Sequence, residues 1–333
     1  MACFFLWLSD NNKQRHGGNS LLIIGIGETG SKITLDVIKE INSEYLLLNT
    51  KKNSKYIAKN IIIDTKSWIN PPIYKIREAF LQDLDDIYSI INNYAKIIII
   101  GNLASKLGIA IIPLLANILY KNGEKEIFSF VIMPFGFEKC KIFHSGVSLS
   151  FVSTYSNSTI IVDNNSFLKN NPELSFLECF RITNNAIRDI IISSYGRGFP
   201  GDFNIIATCK ESGNIEEVFS NSLSMSNNSE IKTVEKTFMY IYPAKEKIDK
   251  IDSIIKTVER ITNESDNEIN IISNTDKLAK IHLMIKTNNS LFSSYDPLNQ
   301  FIPIKNFLDF EPETNQDIQE ISYLRNIEAK TIQ

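Results

Sequence analysis

Glycines at 25, 27 and 30, with Glu28 and Thr29 among them, stand between an apolar run and a stretch of helical periodicity. Gly25-Ile26-Gly27-Glu28-Thr29-Gly30 lets backbone approach a diphosphate, and a helix beginning there offers unpaired N–H groups and a partial positive charge. The spacing satisfies G-x-G-x-x-G, so taken alone it suits a nicotinamide dinucleotide as well as a guanine nucleotide. A dinucleotide site calls for an acidic residue near the end of the second strand, and Asn49-Thr50-Lys51 stands there instead. Farther along, Met133-Pro134-Phe135-Gly136-Phe137-Glu138, Ile160-Ile161-Val162-Asp163-Asn164-Asn165 and Cys179-Phe180-Arg181-Ile182-Thr183-Asn184-Asn185 supply a carboxylate, amides and an aromatic ring. Phe180 is a face on which a planar base stacks, worth ~1–3 kcal/mol, and Asn184 an amide that reads a base edge. Each also has a plain reading, Phe180 as helix core and Asn184 as a surface amide. Lys106 is either a point charge for phosphate or a solvated lysine at a helix start.

Other chemistry is sparse. His16, His144 and His282 form no H-x-x-H, and Cys3, Cys140, Cys179 and Cys209 form no C-x-x-C, so neither a zinc site nor a disulfide framework is expected. Asp83-Leu84-Asp85-Asp86 reads as the solvated face of a helix. A chain of 333 residues, 43% hydrophobic and 22% charged, buries a large core and is expected to hold two domains. A net charge of −3 argues against a nucleic-acid partner. The longest apolar stretch, 109–116, is broken by Pro113 and falls short of the ~20 residues of a membrane span. The opening run Ala2-Cys3-Phe4-Phe5-Leu6-Trp7-Leu8 lacks a basic leader and reads as an added strand, a tail or a membrane-surface anchor. A cytoplasmic location is expected, with the division site or membrane periphery as its finer form.

The residues that could do chemistry fall between short β-branched runs and amphipathic stretches of helix length. Strands are expected over 21–26, 45–48, 60–63, 96–100, 127–132 and 159–162, and helices over 31–41, 72–93 and 105–120, with a helix or loop over 141–155. A long helix over 174–195 ends at Gly196-Arg197-Gly198. This predicts an α/β fold: a mostly parallel, Rossmann-like sheet with helices on both faces, a long connecting helix, then a smaller α+β domain. In the second half, strands are expected over 203–208 and 236–242, a helix over 246–261, and a closing pair of strands over 268–272 and 279–286, with polar loops over 224–230 and 263–267. The divisions expected are an extension over 1–20, a nucleotide-binding domain over 21–173, a connecting helix over 174–197, an α+β domain over 198–287 and a flexible tail over 288–333.

In order and spacing these runs resemble the FtsZ/tubulin superfamily of filament-forming GTPases, over roughly 21–286. The first loop is similar to the tubulin and CetZ form, G-Q-A-G, and Asn49-Thr50 to the N-T after the second strand. The resemblance implies phosphate contacts from Gly25, Gly27, Glu28, Thr29 and Gly30, a place for Asn49 beside them, Glu138 on the ribose, Asn164 against the nucleoside, Phe180 stacked on guanine and Asn184 reading its edge. Lys139 and Lys141 stand for the basic residues that follow Glu138, with Ile142 where an arginine is common. Other motifs depart from the family. Opposite its GGGTGTG stands Ala104-Ser105-Lys106-Leu107-Gly108-Ile109-Ala110, which keeps Gly108 and offers Lys106 as a partial substitute. The third glycine-rich stretch is reduced to Trp68-Ile69-Asn70-Pro71, which leaves the γ-phosphate and its Mg2+ ion few surroundings.

Hydrolysis in the family is completed in trans by an N-x-D-F-x-D loop. Here Pro200-Gly201-Asp202-Phe203-Asn204-Ile205 keeps Asp202 and replaces the other two groups. The implied protein is a GTP- or GDP-binding filament former with weakened or lost hydrolysis, stacking head to tail on itself or on a related FtsZ-like protein. Glu320-Ile321-Ser322-Tyr323-Leu324-Arg325-Asn326 is similar to the D-I-P-x-F-L-R adaptor peptide of FtsZ, implying a membrane adaptor as partner. An active GTPase, a nucleotide-free scaffold and a nicotinamide-dependent oxidoreductase are the alternatives.

Overall fold

A computed structural model describes residues 21–50, 60–66, 70–123, 125–196, 199, 202–229, 234–244, 248–262, 267–272, 277–287 and 295, the backbone alone at 202, 203, 248, 249, 261 and 262. Several expectations fall outside these residues: the opening run 2–8, Lys51, Trp68-Ile69, Arg197-Gly198, Pro200-Gly201 and the tail peptide 320–326.

The first half is β1 (Leu21–Ile26), α1 (Gly27–Ile38), β2 (Glu44–Asn49), β3 (Asn60–Ile62), α2 (Ile73–Gln82), α3 (Leu84–Ile91), β4 (Lys96–Asn102), α4 (Lys106–Lys121), β5 (Glu126–Met133), α5 (Lys139–Tyr155), β6 (Ser158–Asp163) and α6 (Asn164–Asn170). The long helix α7 (Phe176–Ser194) follows, then β7 (Asp202–Thr208), α8 (Ile215–Asn228), β8 (Lys236–Tyr242), α9 (Ile248–Thr262), β9 (Glu268–Ile271) and β10 (Lys280–Lys286).

Among the described residues the strands form one sheet in the order β3-β2-β1-β4-β5-β6-β7-β10-β8-β9. From β3 to β7 every pair is parallel; β10 runs antiparallel to both neighbours, and β9 lies parallel to β8. The mostly parallel α/β sheet matches the expected fold class. Its parallel strands are buried on both faces, as near-continuous apolar runs require: Ile97 to Ile100 are each 0% exposed.

Alternation along the strands divides the core. Ile23, Ile98, Ile100, Ile160 and Ile206 join Ile33 and Val37 of α1 and Ala186, Ile187 and Ile190 of α7 on one face. On the other face, Ala207, Met239, Leu283 and Ile285 join Ile215 and Val218 of α8 and Ile254 and Val258 of α9. The N-terminal part of α7 belongs to the second cluster through Cys179 and Ile182, so this helix passes from one core to the other.

Several elements differ from the sequence reading. Gly27 to Gly30 of the glycine run form the first turn of α1, which therefore begins at Gly27 and not at 31, while Gly25 lies in β1. The helix expected over 72–93 is two, parted at Asp83. Residues 224–228 are not loop but the last turns of α8, whose buried Ile215, Val218, Phe219, Ser222, Met225 and Ser226 make a stripe of helical spacing. β9 and β10 do not pair with each other, because β8 lies between them.

Candidate functional site

The C-terminal ends of β1, β4, β5 and β6 lie on one edge of the sheet, where each strand gives way to a helix. Between β1 and β4 the strand order reverses direction, the place where open α/β sheets leave a crevice for ligands.

At the end of β1 the three glycines have different causes. A Cβ on Gly30 would lie 2.2 Å from the Ile100 carbonyl oxygen, and one on Gly25 would lie 2.6 Å from Thr34 Oγ1 and 2.8 Å from the Gly30 carbonyl oxygen. Both are therefore required to seat α1 on β1 and β4. Gly27 has φ of +72°, a conformation that favours glycine, and a Cβ there would meet only Leu107 Cδ2 at 3.6 Å. Of the three, it is the one whose surroundings would admit a Cβ, so its backbone conformation rather than packing calls for glycine. No side chain caps α1, so its first N–H groups lack a side-chain acceptor; Glu28 in the first turn is exposed and Thr29 half-buried. Asn49 is buried, its amide donating to Ser31 Oγ at 3.1 Å and Asn60 Oδ1 at 3.4 Å, and so ties β2 to α1 and β3.

The turn into α4 is closed on itself. Ser105 caps the helix, its Oγ accepting from Gly108 N at 3.0 Å and donating to the Asn102 carbonyl at 2.8 Å, while Asn102 Oδ1 accepts from Ala104 N at 2.7 Å. A Cβ on Gly108 would lie 2.0 Å from the Asn102 carbonyl oxygen, so this glycine too answers to packing. Lys106 is exposed on the first turn.

After β5, Glu138 Oε2 accepts from Phe135 N at 3.1 Å, and Oε1 pairs with Lys141 at 2.5 Å. The carboxylate expected on a ribose is thus already engaged. Phe135 lies edge-on to Phe180 with ring centroids 5.4 Å apart, and stacks on Phe137 at 5.3 Å. Phe176 contacts both Phe135 and Phe137, so Phe180 belongs to an aromatic cluster that the sequence reading did not assemble. Phe180 is half-buried and packs against the core, whereas Phe137 and Phe176 are 60% and 51% exposed.

After β6, Asp163 is fully buried and caps α6 by accepting from Asn165 N at 2.9 Å; it also accepts from Ser166 Oγ. Burial pushes its carboxyl above the ordinary range against these hydrogen bonds. Asn165 Oδ1 accepts from Gly136 N at 3.0 Å, joining the start of α6 to the loop that carries Glu138. Asn164 is 2% exposed, and its Oδ1 is buried with no hydrogen-bond partner; the Oδ1 of Asn184, on α7, is in the same condition. An unmatched buried acceptor costs ~1–3 kcal/mol, which a ligand carrying N–H donors would recover. The edge thus gathers Glu138, Asn164 and Phe180 around the ends of β5 and β6, with Asn184 one turn farther along α7, and Gly27 with the uncapped start of α1 at the end of β1.

Asp202 is placed elsewhere. It begins β7 and pairs with Ser158, the first residue of β6, whereas Asp163 is the last; five residue steps at ~3.3 Å separate the two ends by ~17 Å. Ile205, where the family motif has its second acid, is 2% exposed, a core position closed to an ionised group. Among the described residues, no group of three or more His, Cys, Asp or Glu side chains is placed to hold a metal ion, and no helix is long and apolar enough to cross a membrane. An apolar cavity of about 110 Å³ lies between Leu223, Val258 and Leu283, in the other half of the sheet and apart from this edge.

No family model and no curated protein matches the sequence. Solved structures do. FtsZ of M. jannaschii, as an empty dimer, superposes with a TM-score of 0.67 at 16% identity over 84% of this chain and 92% of its own. CetZ of Methanosaeta thermophila strain DSM 6194 gives 0.63 at 13% identity, covering 94% of this chain and 95% of its own. CetZ2 of Haloferax volcanii, in a GTPγS-bound protofilament, gives 0.62 at 14% identity, covering 85% and 98%. At such identities the likeness is one of architecture, and the chain has the fold of the FtsZ/tubulin superfamily.

Proposed function

We propose that the chain binds guanine nucleotide, GTP or GDP, along the edge formed by the ends of β1, β4, β5 and β6. It stacks head to tail, on itself or on a related FtsZ-like protein, into filaments of the cytoplasm that serve cell division or a cytoskeletal role. The observation that carries the reading is the pair of buried, unpartnered amide oxygens on Asn164 and Asn184. Both are acceptors, and the guanine edge presents N–H donors. The open start of α1 suits a phosphate, and a structural neighbour is a GTPγS-bound protofilament.

Hydrolysis is weakened or lost in this reading. The second phosphate loop is spent on its own cap, Ser105 on Gly108, and the surviving acid Asp202 lies at the far edge of the sheet, within reach of a ligand only on an apposed copy. Mg2+ has fewer partners here than the family motifs provide. The tail peptide 320–326 remains the proposed attachment to a membrane adaptor.

Calorimetric titration with GTP and GDP, with and without Mg2+, tests the reading, beside Asn184→Ala and Phe180→Ala. Binding by the parent that weakens five- to hundredfold in Phe180→Ala, about the value of one stacked base, is expected. A nucleotide-free scaffold is the second reading, favoured by the engaged Glu138 carboxylate and the Ser105 cap. Absence of heat with either nucleotide, in monomeric and concentrated samples alike, would decide for it. Magnesium-dependent phosphate release at high protein concentration would instead establish an active GTPase, and NADH binding without guanine preference an oxidoreductase.

A further inference from the structure

Beyond β10 the chain returns to the candidate site. Tyr295 is 2% exposed, and its hydroxyl oxygen lies 2.9 Å from the Pro134 carbonyl oxygen and 2.8 Å from Asp163 Oδ1. These two groups stand at the ends of β5 and β6, 161 and 132 positions away in sequence. One hydroxyl therefore bridges the loop that leads to Glu138 and the residue that caps α6, its single proton shared between the two acceptor oxygens.

The consequences run outward from Asp163. Its carboxylate holds Asn165 N, and Asn165 Oδ1 holds Gly136 N, so Tyr295 closes a ring of contacts around the segments 134–138 and 163–166. Asn164, whose unpartnered oxygen carries the nucleotide reading, lies inside that ring. A side chain that keeps its position by so buried a hydrogen bond sets the orientation of its neighbours, because removing the donor leaves an acceptor unmatched in a place water does not reach. Burial of Asp163, which already disfavours its charged form, sharpens that dependence.

We propose that Tyr295 is a positioning residue of the nucleotide site: through Pro134 and Asp163 it holds the β5–α5 loop and the start of α6 in the arrangement that receives the base and sugar. The proposal rests on the guanine-nucleotide reading given above. It makes nucleotide affinity depend on a residue that follows the sheet, so that whatever draws the chain at 295 away from the sheet edge also loosens the ligand.

Tyr295→Phe in the full chain keeps the ring and removes the hydroxyl. Two measurements go together: affinity for GDP by calorimetry, and amide exchange resolved by segment. GDP binding is expected to weaken about tenfold, equivalent to ~1.4 kcal/mol. Exchange is expected to speed at 134–138 and 163–167, with β8 and α9 unchanged. Unchanged exchange in both segments overturns the proposal. Faster exchange with unchanged affinity also overturns it, leaving Tyr295 as a structural clasp only. Failure of the parent chain itself to bind GDP overturns the nucleotide reading and this role with it, while the exchange result still tells whether Tyr295 joins the two segments.

Discussion

Substituting the glycines of the first turn one at a time separates packing from ligand approach. In Gly30→Ala the new Cβ meets the Ile100 carbonyl oxygen at 2.2 Å, roughly 1 Å inside ordinary contact, and that atom belongs to the backbone of a central strand. No side chain can swing aside. Either α1 lifts from β4, opening the contacts of Ile33 and Val37, both within 2% of full burial, or β4 bends. Overpacking of a well-filled core costs ~1–3 kcal/mol, and a backbone obstacle belongs at the upper end or beyond. In Gly27→Ala the neighbour is Leu107 Cδ2 at 3.6 Å, ordinary contact, so only the left-handed backbone at φ +72° resists, at ~1–2 kcal/mol. Urea unfolding of the parent and both variants should give ΔG values in that order, at equal m. GDP titration should place them differently, Gly27→Ala losing affinity out of proportion to its stability. A Gly30→Ala protein within ~0.5 kcal/mol of the parent, the ordinary scatter of surface changes, would refute the seating of α1 on β4 described here.

Two further outcomes follow from buried polar groups. Ser105→Ala removes the α4 cap and should cost ~1 kcal/mol in denaturant unfolding, with Ser105→Gly costing less, since glycine is itself tolerated at that position. Asp189, buried on α7, meets His282 Nε2 at 3.3 Å and Arg188 at 2.5 Å; burial alone would raise its carboxyl, but the His282 hydrogen bond and charge and then Arg188 outweigh burial and hold it below the ordinary range. A depressed carboxyl stabilises the fold above its unfolded value near ~3.9 and loses that contribution as pH falls through the folded value, so stability measured against pH should drop below about pH 4. Asp189→Asn should lose ~3 kcal/mol at neutral pH, as when one partner leaves a buried pair, and show a flatter acid limb. An acid limb as steep as the parent's would mean that other carboxyls set it.

What the sequence disclosed depended on the range over which a signal acts. The parallel strands were legible because strands buried on both faces must be continuous apolar runs, as Ile97 to Ile100 are. α8 was not, because its Ser and Asn residues have poor helix propensity, although its apolar positions keep helical spacing and Asn214 supplies a cap. Glycine meaning was half legible. The run at 25–30 announced a tight strand-to-helix junction, but which glycine answers to a left-handed backbone and which to a nearby carbonyl is fixed by how closely β4 approaches, a fact of tertiary packing. Tyr295 gave no local sign at all, since its partners stand 132 and 161 positions earlier and nothing near it in sequence requires them.

The two ends of β6 carry different groups. Asp163 at one end helps shape the proposed site; Ser158 at the other pairs with Asp202, ~17 Å away along the strand. The backbone of Asp202 and the candidate site thus stand at opposite ends of the same pair of strands. If the acid acts at all, it acts on the nucleotide of a second copy laid end to end, and any turnover would rise more steeply than linearly with protein concentration until the copies are associated. Ile205 is locked in the core where the family motif places a second acid, so that single carboxylate would act without its usual companion. The polarity of the sheet thus sets the candidate site at one end of β6 and the backbone of Asp202 at the other.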